Sequence, residues 1–206
     1  MDIVDEINRA HRELLNGDRK VMTLRRRYDA EIEDVWDACT SAERLNRWFL
    51  PVTGDLRLGG TYQFEGNAGG EILRCEPPRL LRVSWLFGDN PGFSEVEVRL
   101  SAEDGGTLLE LVHAADVPPE FWSGFGPGAT GVGWDLALLG LGLHLTVGGG
   151  RIDEESFHLT DEGRRFITAS SQAWGRAYAA AGGTPDEVAA AVAATTAFYA
   201  PQEERS

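Results

Sequence analysis

Gly126-Pro127-Gly128-Ala129-Thr130-Gly131 carries the G-x-G-x-x-G spacing of dinucleotide-binding turns. That chemistry needs a strand before the loop, a helix after it and a parallel βαβ unit around both. Here an aromatic stretch precedes the motif and a proline sits inside it, so it reads as a flexible gate or linker. His113 ends the run GTLLELVH and alternates in register with Leu109 and Leu111, which turns it to the packed face. A neutral imidazole there offers one donor and one acceptor. It serves either as a satisfied core histidine or as the polar anchor of an apolar pocket. Ser84, Ser94 and Cys75 have no base at a recognisable spacing. No HxxxH, HExxH or CxxC pattern occurs, and no metal or cofactor is assigned. Glu95, Glu97 and Glu110 read as carboxylates of a solvated strand face, while the faces of Glu71 and Cys75 stay unassigned.

The aromatic residues are more informative. Trp48, Tyr62, Phe64, Trp85, Phe87, Trp122 and Trp134 fall at inward positions of the expected elements or around their mouth. The element that must position them is WDLALLGLGLHLTV, from Trp134 to Val147. At about 100° per residue, Trp134, Leu138, Leu141 and Leu145 form one stripe, and Leu136, Leu139, Leu143 and Val147 an opposite one. A helix apolar on both sides is buried on both sides. Its length falls short of the roughly 20 residues that span a bilayer. Gly140 and Gly142 each cost about 1 kcal/mol against alanine, tolerable where a backbone approaches closely or space is left. His144 lies off the first stripe and reads as a flank residue.

Before that helix, short runs rich in β-branched and aromatic residues alternate with turn signals: DLRL, TYQFEG, GEILRCE, LLRVSWLF, SEVEVRL and TLLELVH. Connections this short make hairpins, hence an antiparallel sheet of six or seven strands. Residues 2–16 read as a helix, 19–28 as a strand, 31–38 and 41–49 as short helices, and 115–133 as a loop. Residues 160–200 read as a helical hairpin. Its second helix opens at Thr184-Pro185-Asp186-Glu187, a capping threonine with proline first and glutamate third.

The chain of 206 residues has a net charge of -14, which argues against nucleic-acid binding. Arg25-Arg26-Arg27 is the only basic run, and on a strand it alternates faces. Two cysteines imply no disulfide framework. The charged N-terminus lacks a signal-peptide apolar region, so a reducing cytoplasm and no membrane insertion are expected.

Taken in order, these pieces resemble the START-like (SRPBCC) superfamily with its helix-grip fold, an α+β fold. Within it they resemble bacterial proteins similar to the C-terminal domain of the activator of Hsp90 ATPase. The resemblance rests on Ala30–Trp36, Arg47-Trp48-Phe49, Asp55–Gly60, Glu76–Leu81 with Trp85, Gly106–His113 and Gly133-Trp134. It covers about residues 20–147 and leaves out the N-terminal helix and the tail. It implies a curved antiparallel sheet wrapped on a long late helix, with an apolar cavity between them. The expected organisation is an N-terminal helix over 1–17, a START-like domain over 18–150 and a helical hairpin over 151–206. That hairpin packs on the domain or on a partner subunit. The expected ligand-binding set is Trp48, Tyr62, Phe64, Trp85, Phe87, Leu109, Leu111, His113, Trp122, Trp134, Leu138 and Leu141, with no catalytic residue. The function expected is non-catalytic binding of an apolar or amphipathic small molecule. A protein-interaction module acting on a chaperone, or on itself as a dimer, is the alternative; a cyclase-type enzyme is the third.

Overall fold

The computed structural model describes residues 3–88, 92–149 and 151–201. Among them, eight strands form one antiparallel sheet: β1 (Ala10–Asn16), β2 (Lys20–Tyr28), β3 (Val52–Gly54), β4 (Thr61–Phe64), β5 (Gly69–Glu76), β6 (Leu80–Ser84), β7 (Ser94–Glu103) and β8 (Gly106–Ala115). The strand order is β1-β2-β8-β7-β6-β5-β4-β3. Hairpins build the run from β3 to β8, and β8 returns to pair with β2, with Leu24 opposite Leu111. The helices are α1 (Ile3–Asn8), α2 (Ile32–Thr40), α3 (Ala42–Trp48), α4 (Pro119–Phe125), α5 (Gly128–Val147), α6 (Glu154–Phe157), α7 (Asp161–Ala180) and α8 (Pro185–Tyr199).

Strand alternation sorts the two faces of the sheet. Leu109 and Leu111 point inward and are buried. Between them Glu110 faces out and accepts from Arg25 and Arg99. Arg25 also bridges to Glu13, and Arg99 to Glu97, so the outer face is a ladder of ion pairs. Arg26 is the exception in its run. It shares the inner face, is buried, and pairs with the equally buried Glu6 of α1.

The inner face packs against α2, α3 and one side of α5, where Leu138 and Leu141 are buried. The Tyr28 hydroxyl donates to the Leu138 carbonyl at 2.9 Å and ties β2 to the helix. The opposite side of α5 has its own core: Val132, Leu136 and Leu139 meet Phe166, Ile167 and Ala173 of α7, and Ile7 of α1. Val147, at the end of that stripe, is 75% exposed, because the stripe outruns its cover. The α7–α8 hairpin forms as its caps direct. Thr184 accepts from the Glu187 amide while the Glu187 carboxylate accepts from the Thr184 amide.

Four local expectations are corrected. Residues 2–16 are not one helix: the chain is helical over Ile3–Asn8 and then becomes β1, an edge strand paired with β2. DLRL is a loop, and the strand before it is Val52–Gly54. The stretch 115–133 is mostly helical, forming α4 and the first turns of α5. At 20 residues α5 is long and apolar enough by composition to cross a membrane, so shortness is not what excludes it. It is a buried core helix. Residues 89–91, between the runs LLRVSWLF and SEVEVRL where a turn signal was read, lie outside the described residues.

Only Gly126 and Pro127 of the G-x-G-x-x-G segment act as a linker, joining α4 to α5, and its other four residues open α5. A Cβ on Gly128 would stand 2.2 Å from Thr195 Oγ1, and one on Gly131 2.4 Å from the Trp174 ring. These glycines let α7 and α8 close on the N-terminal half of α5. Gly140 and Gly142 likewise mark close approach rather than space, to the Trp48 carbonyl and the Arg26 guanidinium.

Candidate functional site

Between the inner sheet face and α5 lies a cavity of about 150 Å³. Strands β4 to β8 supply one wall through Tyr62, Phe64, Ile72, Cys75, Leu81, Val83, Val96, Val98, Leu109 and Leu111. From α5 come Trp134, Ala137, Leu138 and Leu141, which share one helical side. Cys39 and Thr40 of α2, Leu45 and Trp48 of α3, and the following Phe49 and Val52 close a third side. Leu56, 40% exposed, stands at the rim. Among the described residues lining it, none is charged.

The aromatic side chains touch in sequence. Phe49 meets Phe64 edge-on at 5.0 Å, Phe64 meets Trp85 at 5.7 Å, and Trp85 meets Trp134 at 5.0 Å between centroids. Their polar atoms are turned to protein partners. Trp48 Nε1–H donates to the Ala38 carbonyl at 2.9 Å, and the Tyr62 hydroxyl to the Ser84 carbonyl at 2.7 Å. Thr40 Oγ1 donates to the Trp36 carbonyl at 2.8 Å. Burial raises the Tyr62 phenol and pushes the Cys39 thiol up to about 12, so both stay neutral.

Nine of the twelve expected residues meet on this wall: Trp48, Tyr62, Phe64, Trp85, Leu109, Leu111, Trp134, Leu138 and Leu141. Three do not. Phe87 follows the end of β6 and is 61% exposed. Trp122 sits on α4, edge-on to Tyr178 and beneath the Lys20 ammonium. His113 is buried on the inner face but stands behind Trp134. Alternation fixes which way a side chain points, not how deep it lies behind its neighbours.

His113 has two partners. Trp134 Nε1–H donates to Nδ1 at 3.1 Å, and Nε2 lies 2.9 Å from Ser94 Oγ. An indole only donates, so Nδ1 carries the lone pair and Nε2–H donates to Ser94. In this tautomer His113 cannot take the Ser94 proton, so the pair is not wired as a nucleophile and its activator. Burial lowers the imidazole to about 4, which keeps it neutral. His144 is also buried, against the flank reading, and accepts from Arg44 Nε–H at 3.1 Å.

The wall also holds residues outside the expected twelve, Phe49, Ile72 and Val96 among them, and two others carry no readable local signal. Cys75 faces the cavity with Ile72 although they are three apart, because the register of β5 shifts between Ile72 and Arg74. Ala137 lies on the same helical stripe as Trp134 and Leu138 but is too small to mark it. Asp135, 3% exposed on α5, was missed as well. A lone carboxylate in a helix buried all round must have partners, and that signal was present.

The family model for Activator of Hsp90 ATPase homolog 1-like protein matches residues 29–141. The solution structure of CalU16 from Micromonospora echinospora is 40% identical, with 84% of this chain and 96% of that one covered and a TM-score of 0.70. Its crystal structure is 38% identical, with 80% and 97% covered and a TM-score of 0.62. The Aha1 dimer from Colwellia psychrerythraea shares the fold at 19% identity, with 63% and 98% covered and a TM-score of 0.54. A search of curated proteins finds no match. The chain belongs to the Activator of Hsp90 ATPase homolog 1-like family of the START-like superfamily, a setting that supports a ligand-binding or Hsp90-activator-like module.

Proposed function

We propose that the protein binds a small apolar molecule in the cavity between the sheet and α5 without transforming it. The observation that carries this reading is an internal space of about 150 Å³ with an aromatic, uncharged wall. Apolar cavities of about this size stay dry and take up a single benzene-sized ring. Burying a ring of roughly 200 Å² yields about 5 kcal/mol at the usual coefficient, before association costs remove part of it. A ring alone therefore binds at about millimolar strength. An amphipathic ligand gains more by leaving its polar end at the Leu56 rim. Two free thiols, Cys39 and Cys75, fit a reducing cytoplasm.

The family description favours a second reading, a module that acts on a chaperone, and the Aha1 neighbour from Colwellia psychrerythraea, a dimer, adds self-pairing to it. A core filled by side chains would suit that role better, since the function would then lie on the outer surface. Native mass spectrometry of freshly purified full-length protein separates the two. A co-purifying small molecule, or saturable uptake of benzene or toluene, supports the binder. Empty protein that takes up neither, yet binds Hsp90, replaces it with the interaction module.

A further inference from the structure

Trp134 is the first α5 residue on the cavity wall and is only partly buried. It is held by a tilted ring contact with Trp85, by an edge-on contact with the His113 ring and by one hydrogen bond to His113. The acceptor is rigid: His113 lies on β8 opposite Val96, and its other nitrogen is anchored to Ser94 on β7. The donors run one way, from Trp134 to His113 to Ser94, because an indole cannot accept. The helix side chain is thus pinned to a paired strand.

We propose that His113 sets the size of ligand the cavity admits by pinning the Trp134 indole as its end wall. The proposal rests on the ligand-binding reading and makes His113 a positioning residue, since it does not itself line the cavity. With the pin in place the space of about 150 Å³ takes one ring. Ligand sites usually offer about 300 Å³ or more. Without the acceptor, the indole N–H is left unpaired in an apolar setting, which drives it toward water. The space then extends past its former position.

The test titrates benzene and naphthalene into the full-length protein, His113→Leu and His113→Asn. Leucine removes the acceptor, whereas asparagine keeps an amide oxygen at the Nδ1 position for the indole. Wild type should prefer benzene. His113→Leu should shift the preference toward naphthalene by about tenfold, the weight of one hydrogen bond. His113→Asn should restore the wild-type order. In parallel, the Trp134 indole N–H should be protected from solvent exchange in wild type and His113→Asn, and unprotected in His113→Leu. An unchanged size order in His113→Leu, or an asparagine variant that behaves like it, overturns the proposal alone. Failure of all three proteins to bind either ring overturns the ligand reading and the proposal with it. If His113→Leu does not fold, Trp134→Phe removes the donor from the other side of the same bond. That variant should shift toward naphthalene, and a retained benzene preference overturns the proposal.

Discussion

Asp135 on α5 and Arg12 on β1 form a two-point ion pair, with Nη2 2.8 Å from one carboxylate oxygen and Nε 3.1 Å from the other. Both side chains are almost fully buried. Ser170 Oγ and Trp174 Nε1 of α7 donate to the same carboxylate at 2.5 and 3.1 Å. One acid on the core helix thus gathers the N-terminal strand and the C-terminal tail. Removing one member of a buried pair leaves the other charge uncompensated, at a cost of about 3–5 kcal/mol. Asp135→Ala should lose about that much stability in urea unfolding, and a loss below about 1 kcal/mol would show that the cluster relaxes freely.

The glycine seam makes a prediction of opposite signs. Gly131→Ala places a Cβ 2.4 Å from the fully buried Trp174 ring. Overpacking of about 1–3 kcal/mol should outweigh the helix-propensity gain of about 1 kcal/mol, so stability falls. Gly124→Ala meets nothing within 4 Å in α4 and should be neutral or stabilising. Thermal melts of the two variants would disprove the seam if both rise.

Stability should also depend on pH through His113. Its folded pKa is lowered to about 4 by burial, while the unfolded imidazole titrates near 6.5. The unfolded state therefore binds the proton first as pH falls. The stabilisation is complete above about pH 6.5 and is lost as pH drops toward 4, by about 2 kcal/mol between pH 6.5 and 5. Urea midpoints at pH 7 and pH 5 should fall further for wild type than for His113→Asn. Equal falls would assign the pH dependence to other groups.

Filling the cavity tests its accessibility. Ala137 faces the space from α5, so Ala137→Phe should occupy the volume of one ring. Uptake of benzene should drop at least about tenfold, with a change in stability of no more than about 3 kcal/mol. Undiminished uptake with the fold intact would place the ligand elsewhere.

The hairpin ladder from β4 to β8 was legible because alternation and glycine turns are local signals. The tail helices were legible for the same reason, through Thr184, Pro185 and Glu187. The N-terminal segment was not. Ile3, Ile7 and Leu14 keep a helical spacing, yet Ala10–Asn16 pairs along β2, where its edge would otherwise stand open. In the 115–133 stretch, glycines read as loop because their reason for being there, the side chains of Thr195 and Trp174, comes more than 40 residues later.

By itself the sequence determined the antiparallel sheet, the doubly apolar core helix and most of the aromatic wall, which follow from the periodicity each segment carries within itself. The helix-grip fold class came from the family resemblance of the pieces taken in order. Only the tertiary structure decided that His113 stands behind Trp134 and that Cys75 turns inward past a register shift. It also decided that Asp135 is the meeting point of both chain ends. Depth, strand register and long-range charge pairing depend on which distant side chains arrive at one place, and no local pattern encodes that.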